Sequence, residues 1–168
     1  MENYIVINGK KAELTEDQLK ALGIEVSKAK ANAFDRREKG EEYYYINYQG
    51  KVEYTCESNL SWDEDVYNIA NYCTDKTLME QRALHETLDR LLWRFSMANG
   101  GDKIDWNDFD SLKYAIFYDC NNKQFFIDGF YYSKYTNISF YNEKIAQRAI
   151  NEVIKPFIAA HPEFDLTL

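Results

Sequence analysis

Tyr44-Tyr45-Ile46-Asn47-Tyr48 returns as Tyr114-Ala115-Ile116-Phe117-Tyr118, at an offset of 70 residues. Gln81-Arg82-Ala83-Leu84-His85-Glu86 returns as Gln147-Arg148-Ala149-Ile150-Asn151-Glu152, at an offset of 66. The first run suits a strand and the second a helix, so only the segment joining them changes length. A strand-plus-helix unit met twice predicts two pseudo-symmetric halves sharing one core.

Working outward, Glu42–Tyr48 and Lys51–Glu57 read as a hairpin turning at Gln49-Gly50, with residues 58–66 as a polar loop and Tyr67–Cys73 as a third strand. Thr74 then caps a long helix from about Asp75 to Met97. Its apolar stripe is Leu84, Leu88, Leu91, Leu92 and Phe95, and Asn99-Gly100-Gly101 stops it. In the second copy, Leu112–Asp119 and Gln124–Tyr131 pair across Cys120–Lys123. A short strand near Asn137–Phe140 leads into a helix from Asn142, which Pro156 bends or restarts and His161-Pro162 closes.

Ahead of these copies, Tyr4–Ile7 and Lys10–Leu14 flank Asn8-Gly9, a type I′ turn dipeptide. Thr15 with Gln18 is a capping box for a short helix that Gly23 ends. Residues 26–40, rich in Lys, Ala and Arg, read as a helical linker or arm. The expected fold class is α+β, built as two pseudo-repeated β-β-β-α units with antiparallel sheets and one helix each. A small hairpin–helix (1–24) and a basic linker (25–40) precede them. The units are 41–101 and 102–168, with 41–168 as one domain. Their sheets are equally compatible with joining edge to edge or packing face to face.

The chain has 168 residues, 45% of them hydrophobic and 29% charged, enough for a core that needs no metal or disulfide. Cys56, Cys73 and Cys120 are odd in number and lack metal spacing, which points to a reducing, cytosolic setting. No signal peptide is read at the N-terminus, and no apolar run approaches the roughly 18 residues that span a membrane. The net charge of −8 is uneven: residues 1–40 carry 8 basic and 7 acidic side chains, residues 41–168 carry 12 and 21. Such an acidic body repels phosphate backbones and is drawn to basic surfaces.

Phosphate-binding glycine loops, serine-hydrolase elbows and zinc motifs are all missing, so the reading is non-enzymatic, without cofactor or metal. A Cys73–His85 pair has no third residue to orient it. Asp102, Asp105, Asp108 and Asp110 form the densest acidic run, but the EF-hand pattern fails there for want of the turn glycine and the closing Glu. Trp62-Asp63-Glu64-Asp65 and Asp105-Trp106-Asn107-Asp108 set a tryptophan among carboxylates. Trp62, Asp63, Glu64, Asp65, Asp102, Asp105, Trp106, Asp108 and Asp110 are the candidate partner-binding residues, because aromatic anchors dominate interface energy while acids steer association. Lys28, Lys30, Arg36 and Arg37 form the one basic cluster and carry the alternative of a nucleic-acid-binding arm. A small-ligand sponge, with a Tyr- and Arg-lined pocket between the halves, is a further class. Open strand edges also allow a homodimer.

The runs Asn71-Tyr72-Cys73-Thr74-Asp75-Lys76 and Glu80 through Leu88 resemble small accessory proteins of phages and prophages of low-GC Gram-positive bacteria. The opening NGK…LTEDQLKALGI and the closing IAQRAINEVIKPF are similar to the same group. That group includes type II-A anti-CRISPR proteins. The resemblance implies a non-catalytic inhibitor of a host defence protein, such as a Cas nuclease, acting in the bacterial cytoplasm. It brings no catalytic residues with it.

Overall fold

The computed structural model describes residues 4–7, 10–13, 15, 18, 32–131 and 138–167. The chain divides into two units, Met1–Asp35 and Arg36–Leu168. In the first, β1 (Tyr4–Ile7) pairs antiparallel with β2 (Lys10–Glu13), Ile7 opposite Lys10, and the turn expected at Asn8-Gly9 lies outside the described residues. Thr15 N–H donates to Gln18 Oε1 at 2.9 Å and Gln18 N–H returns a bond to Thr15 Oγ1 at 3.4 Å, the two halves of a capping box. The rest of that helix, Lys28 and Lys30 lie outside the described residues.

The linker expected to be helical is not so over residues 32–40. Asn32 Oδ1 accepts from Phe34 N–H and Asp35 Oδ2 from Asn32 N–H, so local side chains take the donors a helix would use. The second unit begins at Arg36, ahead of the boundary expected at residue 41. Arg37 N–H donates to Tyr72 Oη and Gly40 N–H to the Glu57 carbonyl, and these bonds tie residues 36–40 to the rest of the second unit.

In the second unit, β3 (Glu42–Ile46) pairs with β4 (Val52–Cys56), Tyr44 opposite Tyr54. The segment expected to be a loop contains a helix, α1 (Ser61–Asn68), because Asp63 at its third position accepts the Leu60 N–H and caps it. The expected third strand shrinks to one bridge at Cys73: Tyr67 and Asn68 still belong to α1, and Ala70 turns the chain with φ +56°. α2 (Lys76–Ala98) comes next, capped by Asp75 and not by Thr74, with Asp75 Oδ1 accepting from Leu78 N–H at 3.0 Å. Gly100, at φ +93°, ends it in the left-handed region.

β5 (Lys113–Asp119) pairs with β6 (Gln124–Phe130), and α3 (Glu143–Ala149) is capped by Asn142 through Ile145 N–H at 2.9 Å. The expected short strand is again a single bridge, at Phe140, while Asn137 lies outside the described residues. After α3 the helix widens into a π turn, Ile150–Ile154, in which Lys155 N–H reaches back to the Ile150 carbonyl. Pro156 is the cause. It has no N–H for the carbonyl four residues back, and its ring would strike that carbonyl in an α-helix, so a wide turn precedes it and α4 (Lys155–Ala160) restarts.

Three two-stranded sheets are present among the described residues, and they do not join. The class is α+β. Corresponding contacts recur in the two halves: Tyr44 exchanges two backbone bonds with Cys73 (2.7 and 3.0 Å), and Tyr114 does so with Phe140 (3.2 and 2.8 Å). In each case the capped helix starts three residues later. α2 runs past both halves. Its first turns lie on β3 and β4, where Met79 and Ala83 are buried. Farther along, Leu88 packs with Ile150, Ile154, Phe157 and Phe164, while Leu92 and Phe95 meet Phe140, Ala146 and Ala149. Each such large side chain removed from water contributes about 1.5–3 kcal/mol. No helix among the described residues is long and apolar enough to cross a membrane.

Candidate binding surface

Two buried carboxylates, Asp63 within α1 and Glu57 at the end of the hairpin before it, organise this segment. Asp63 accepts from the Ser58 hydroxyl (2.5 Å), the Ser58 N–H (3.1 Å), the Leu60 N–H (3.0 Å) and the Tyr43 hydroxyl (2.8 Å). Burial works against its charge, but these bonds prevail and bring the carboxyl down to about 2. The Tyr43 hydroxyl is pushed up by burial first and by Asp63 next, so it stays a donor. Glu57 takes a two-pronged bond from Arg36, Nε at 3.1 Å and Nη2 at 3.2 Å, plus Asn59 N–H at 2.9 Å. The Arg36 bond is the main reason its carboxyl is lowered, against an opposing contribution from burial.

Aromatic rings complete the base. Tyr43 and Tyr72 stack with centroids 3.9 Å apart, Trp62 meets Tyr45 edge-on at 5.1 Å, and Tyr67 meets Tyr72 edge-on at 5.4 Å. Large apolar groups are nonetheless left to solvent in and around α1: Ile69, just after it, is 69% exposed, Leu60, just before it, 63%, and Trp62, on its flank, 45%. Trp62, Asp65 and Ile69 keep helical spacing along one flank, and Glu64 and Tyr67 along the other, while Leu60 is the extended residue just before the helix. Carboxylates therefore border apolar groups on both sides. Asp63, expected to face a partner, is instead 1% exposed and cannot do so. Its neighbours Glu64 and Asp65 are exposed.

The second acidic run lies elsewhere, ahead of β5. Asp102, Asp105, Asp108 and Asp110 are exposed and Trp106 is half-buried. Asp105 accepts from Asn107 N–H and Asp108 from Asp110 N–H, and the latter bond is the chief cause of Asp108's lowered carboxyl. The buried Lys113 ammonium draws the loop inward, donating to the carbonyls of Asp108 and Ser111 and to Ser111 Oγ. A cation of the chain itself thus sits among oxygens that would otherwise invite one. No trio of His, Cys, Asp or Glu among the described residues is placed to hold a metal. A cleft of about 440 Å³ lies here, with Asp105, Asp108, Asp110, Tyr114, Tyr131 and Tyr141 in its walls. The two tryptophan-bearing runs lie on different segments, one in α1 and the other in the loop ahead of β5.

Of the basic cluster, Arg36 is committed to Glu57, and Arg37 is half-buried with its backbone N–H on Tyr72. Cys73 is 1% exposed, its thiol pushed up by burial and bonded to Asp75 backbone atoms. His85 lies on α2 with Nε2 2.8 Å from the Asp165 carbonyl and its ring on Phe164, so the two do not meet as base and nucleophile.

Sequence reasoning missed Trp93, which is 60% exposed on α2. Its signal was available, since position 93 falls off the stripe through Leu84, Leu88, Leu91, Leu92 and Phe95. It borders a groove of about 430 Å³ with Asp89, Arg90, Ile116, Ile138 and Phe140. Comparison with protein-family models, with curated proteins and with solved structures returns no match.

Proposed function

We propose that this chain is a non-catalytic, phage-type accessory protein that docks on a basic surface of a host defence protein, such as a Cas nuclease, in the bacterial cytoplasm and blocks it. One observation carries the reading: α1 and its two flanking residues leave Trp62, Tyr67, Leu60 and Ile69 exposed near Glu64 and Asp65, on a base fixed by buried hydrogen bonds. Exposed rings on a rigid support anchor an interface at low entropy cost, and the carboxylates around them steer a cationic partner. The unit from Arg36 onward carries 22 acidic against 15 basic residues, which extends that field beyond α1. Asp102, Asp105, Asp108 and Asp110 add to it from the loop before β5.

The alternative of a nucleic-acid-binding arm loses support at Arg36, whose charge is already paired with Glu57 through Nε and Nη2. The decisive experiment mixes the purified chain with purified, guide-loaded Cas nucleases at low salt and reads co-elution and DNA cleavage. Co-elution with loss of cleavage, both reversed by high salt, is the expected result. No association with any defence nuclease tried, and cleavage unchanged, would sink the reading.

A further inference from the structure

Trp93 follows Asp89 by one turn of α2, so the two share a helix face. Long helical side chains lean toward the N-terminus, which brings the Trp93 indole over the turn that carries Asp89. Both border the groove whose other walls include Leu92, Ile116, Ile138 and Phe140. Its floor belongs to the core: Phe140 is 1% exposed and packs with Ala146 and Ala149, and Leu92, Ile116 and Ile138 pack against that cluster. A volume of about 430 Å³ lies within the range of pockets that bury a ligand.

The groove holds one charge that the chain leaves unanswered. Asp89 has no hydrogen bond and no ion pair among the described residues, and partial withdrawal from water pushes its carboxyl up. The cations nearest to it along α2 are engaged elsewhere. Arg90 donates Nη2 to Glu86 at 2.8 Å, and His85, one turn back, sits on the Asp165 carbonyl and the Phe164 ring. Trp93, 60% exposed, likewise has no ring contact among the described residues.

A carboxylate, an open indole face and an apolar floor together select a flat cation on an aliphatic stem. A guanidinium meets all three, because it stacks on indole, bonds a carboxylate through two parallel N–H groups and gives up water more readily than an ammonium. An anion would meet the charge of Asp89, and a metal ion would find a single carboxylate. We propose that the groove takes an arginine side chain from a partner protein, the guanidinium between Trp93 and Asp89 and the stem on Ile116, Ile138 and Phe140. The volume exceeds what one side chain fills, so an apolar neighbour of that arginine shares the floor, which favours a polypeptide over a free small cation. This inference rests on Asp89 and Trp93 and is independent of the surface at α1.

The chain has three tryptophans, and their indole N–H signals separate the two surfaces by NMR, with Trp93→Phe identifying the relevant one. The probes are the peptide acetyl-Leu-Arg-Leu-amide, its lysine and citrulline counterparts, and propylguanidinium, each titrated into the full chain at physiological salt. The arginine peptide is expected to shift the Trp93 indole saturably with roughly millimolar affinity, the lysine peptide about three- to tenfold more weakly and the neutral citrulline peptide not at all. Propylguanidinium should bind more weakly than the arginine peptide. Asp89→Asn and Trp93→Ala, both at exposed positions, should each cut the affinity about tenfold with the chain still folded. No Trp93 shift at about 20 mM arginine peptide, an equal response to citrulline or lysine, or unchanged binding by Asp89→Asn overturns the proposal. Propylguanidinium binding as tightly as the peptide also overturns it, in favour of a free small cation. A nuclease that fails to bind α1 leaves this readout unmoved, because it is taken at Trp93 and not at Trp62.

Discussion

The Tyr43 hydroxyl donates to the Asp63 carboxylate at 2.8 Å, one residue along from the exposed indole of Trp62. The bond joins the inner face of the β3–β4 hairpin to the helix that carries the candidate anchor. Removing either partner leaves the other buried and short of a bond, which costs more than the bond itself contributes. Asp63→Ala, which loses four accepted bonds and the cap of α1, is expected to lower stability by about 2–4 kcal/mol. Tyr43→Phe leaves Asp63 its other donors and costs about 1–2 kcal/mol. Urea unfolding followed by tyrosine and tryptophan fluorescence measures both.

The same carboxylate makes acid stability predictable in sign. Asp63 titrates at about 2 when folded, below the ordinary value of about 3.9 in the unfolded chain. A depressed folded value contributes stability that is fully present above the unfolded one and is lost as pH falls through the folded one. Glu57 is lowered as well and acts in the same direction. The urea midpoint should therefore fall steeply between about pH 4 and pH 2, and Asp63→Asn should flatten that fall. An equally steep fall in the variant would exclude this origin.

Gly101 marks a close approach of backbone to backbone. A Cβ there would lie 2.9 Å from the Ser96 carbonyl carbon and oxygen, closer than real Cβ atoms come, and closer still to Ser96 Oγ. Gly101→Ala is expected to destabilise by about 1–3 kcal/mol. Adding Ser96→Ala should rescue only part of the loss, because the backbone contact remains and the hydroxyl's bond to the Ser139 carbonyl is gone. Thermal unfolding of the two variants checks the order.

Lys113 supplies the ammonium about which the acidic loop folds. Lys113→Met keeps much of the apolar stem and removes every donor to Asp108 and Ser111. Stability should drop by about 1–3 kcal/mol, and amide exchange should quicken over residues 105–112 before it does in α2. Uniform exchange across the chain would argue against a local role.

Legibility in the sequence tracks the strength of local periodicity. The apolar stripe of α2 and the turns at Gly50 and Gly100 are written in residue types, and the structure has them where expected. α1 escapes such a reading because Trp62-Asp63-Glu64-Asp65 shows no apolar face. Its helix depends on Asp63 accepting bonds from Ser58 and Leu60 and on contact with Tyr43, twenty residues earlier in the chain. The burial of Asp63 is illegible for the same reason, since an acid within an acidic run reads as solvated. Arg36 likewise looks like part of a free basic cluster, because its partner Glu57 stands 21 residues away. The third strands fail for a simpler reason: one bridged residue satisfies each edge, and the chain then leaves for a helix cap.

Whether the outer side of α1 is a docking surface for a basic partner is tested most directly by affinity for a guide-loaded Cas nuclease. Wild type should bind with an affinity that falls as salt rises. Trp62→Ala should weaken binding by about tenfold or more while the chain remains folded, and the pair Glu64→Lys with Asp65→Lys should slow association with an unfolding midpoint close to wild type. Binding that is unaltered in these variants, or no binding by the wild type at low salt, would contradict it.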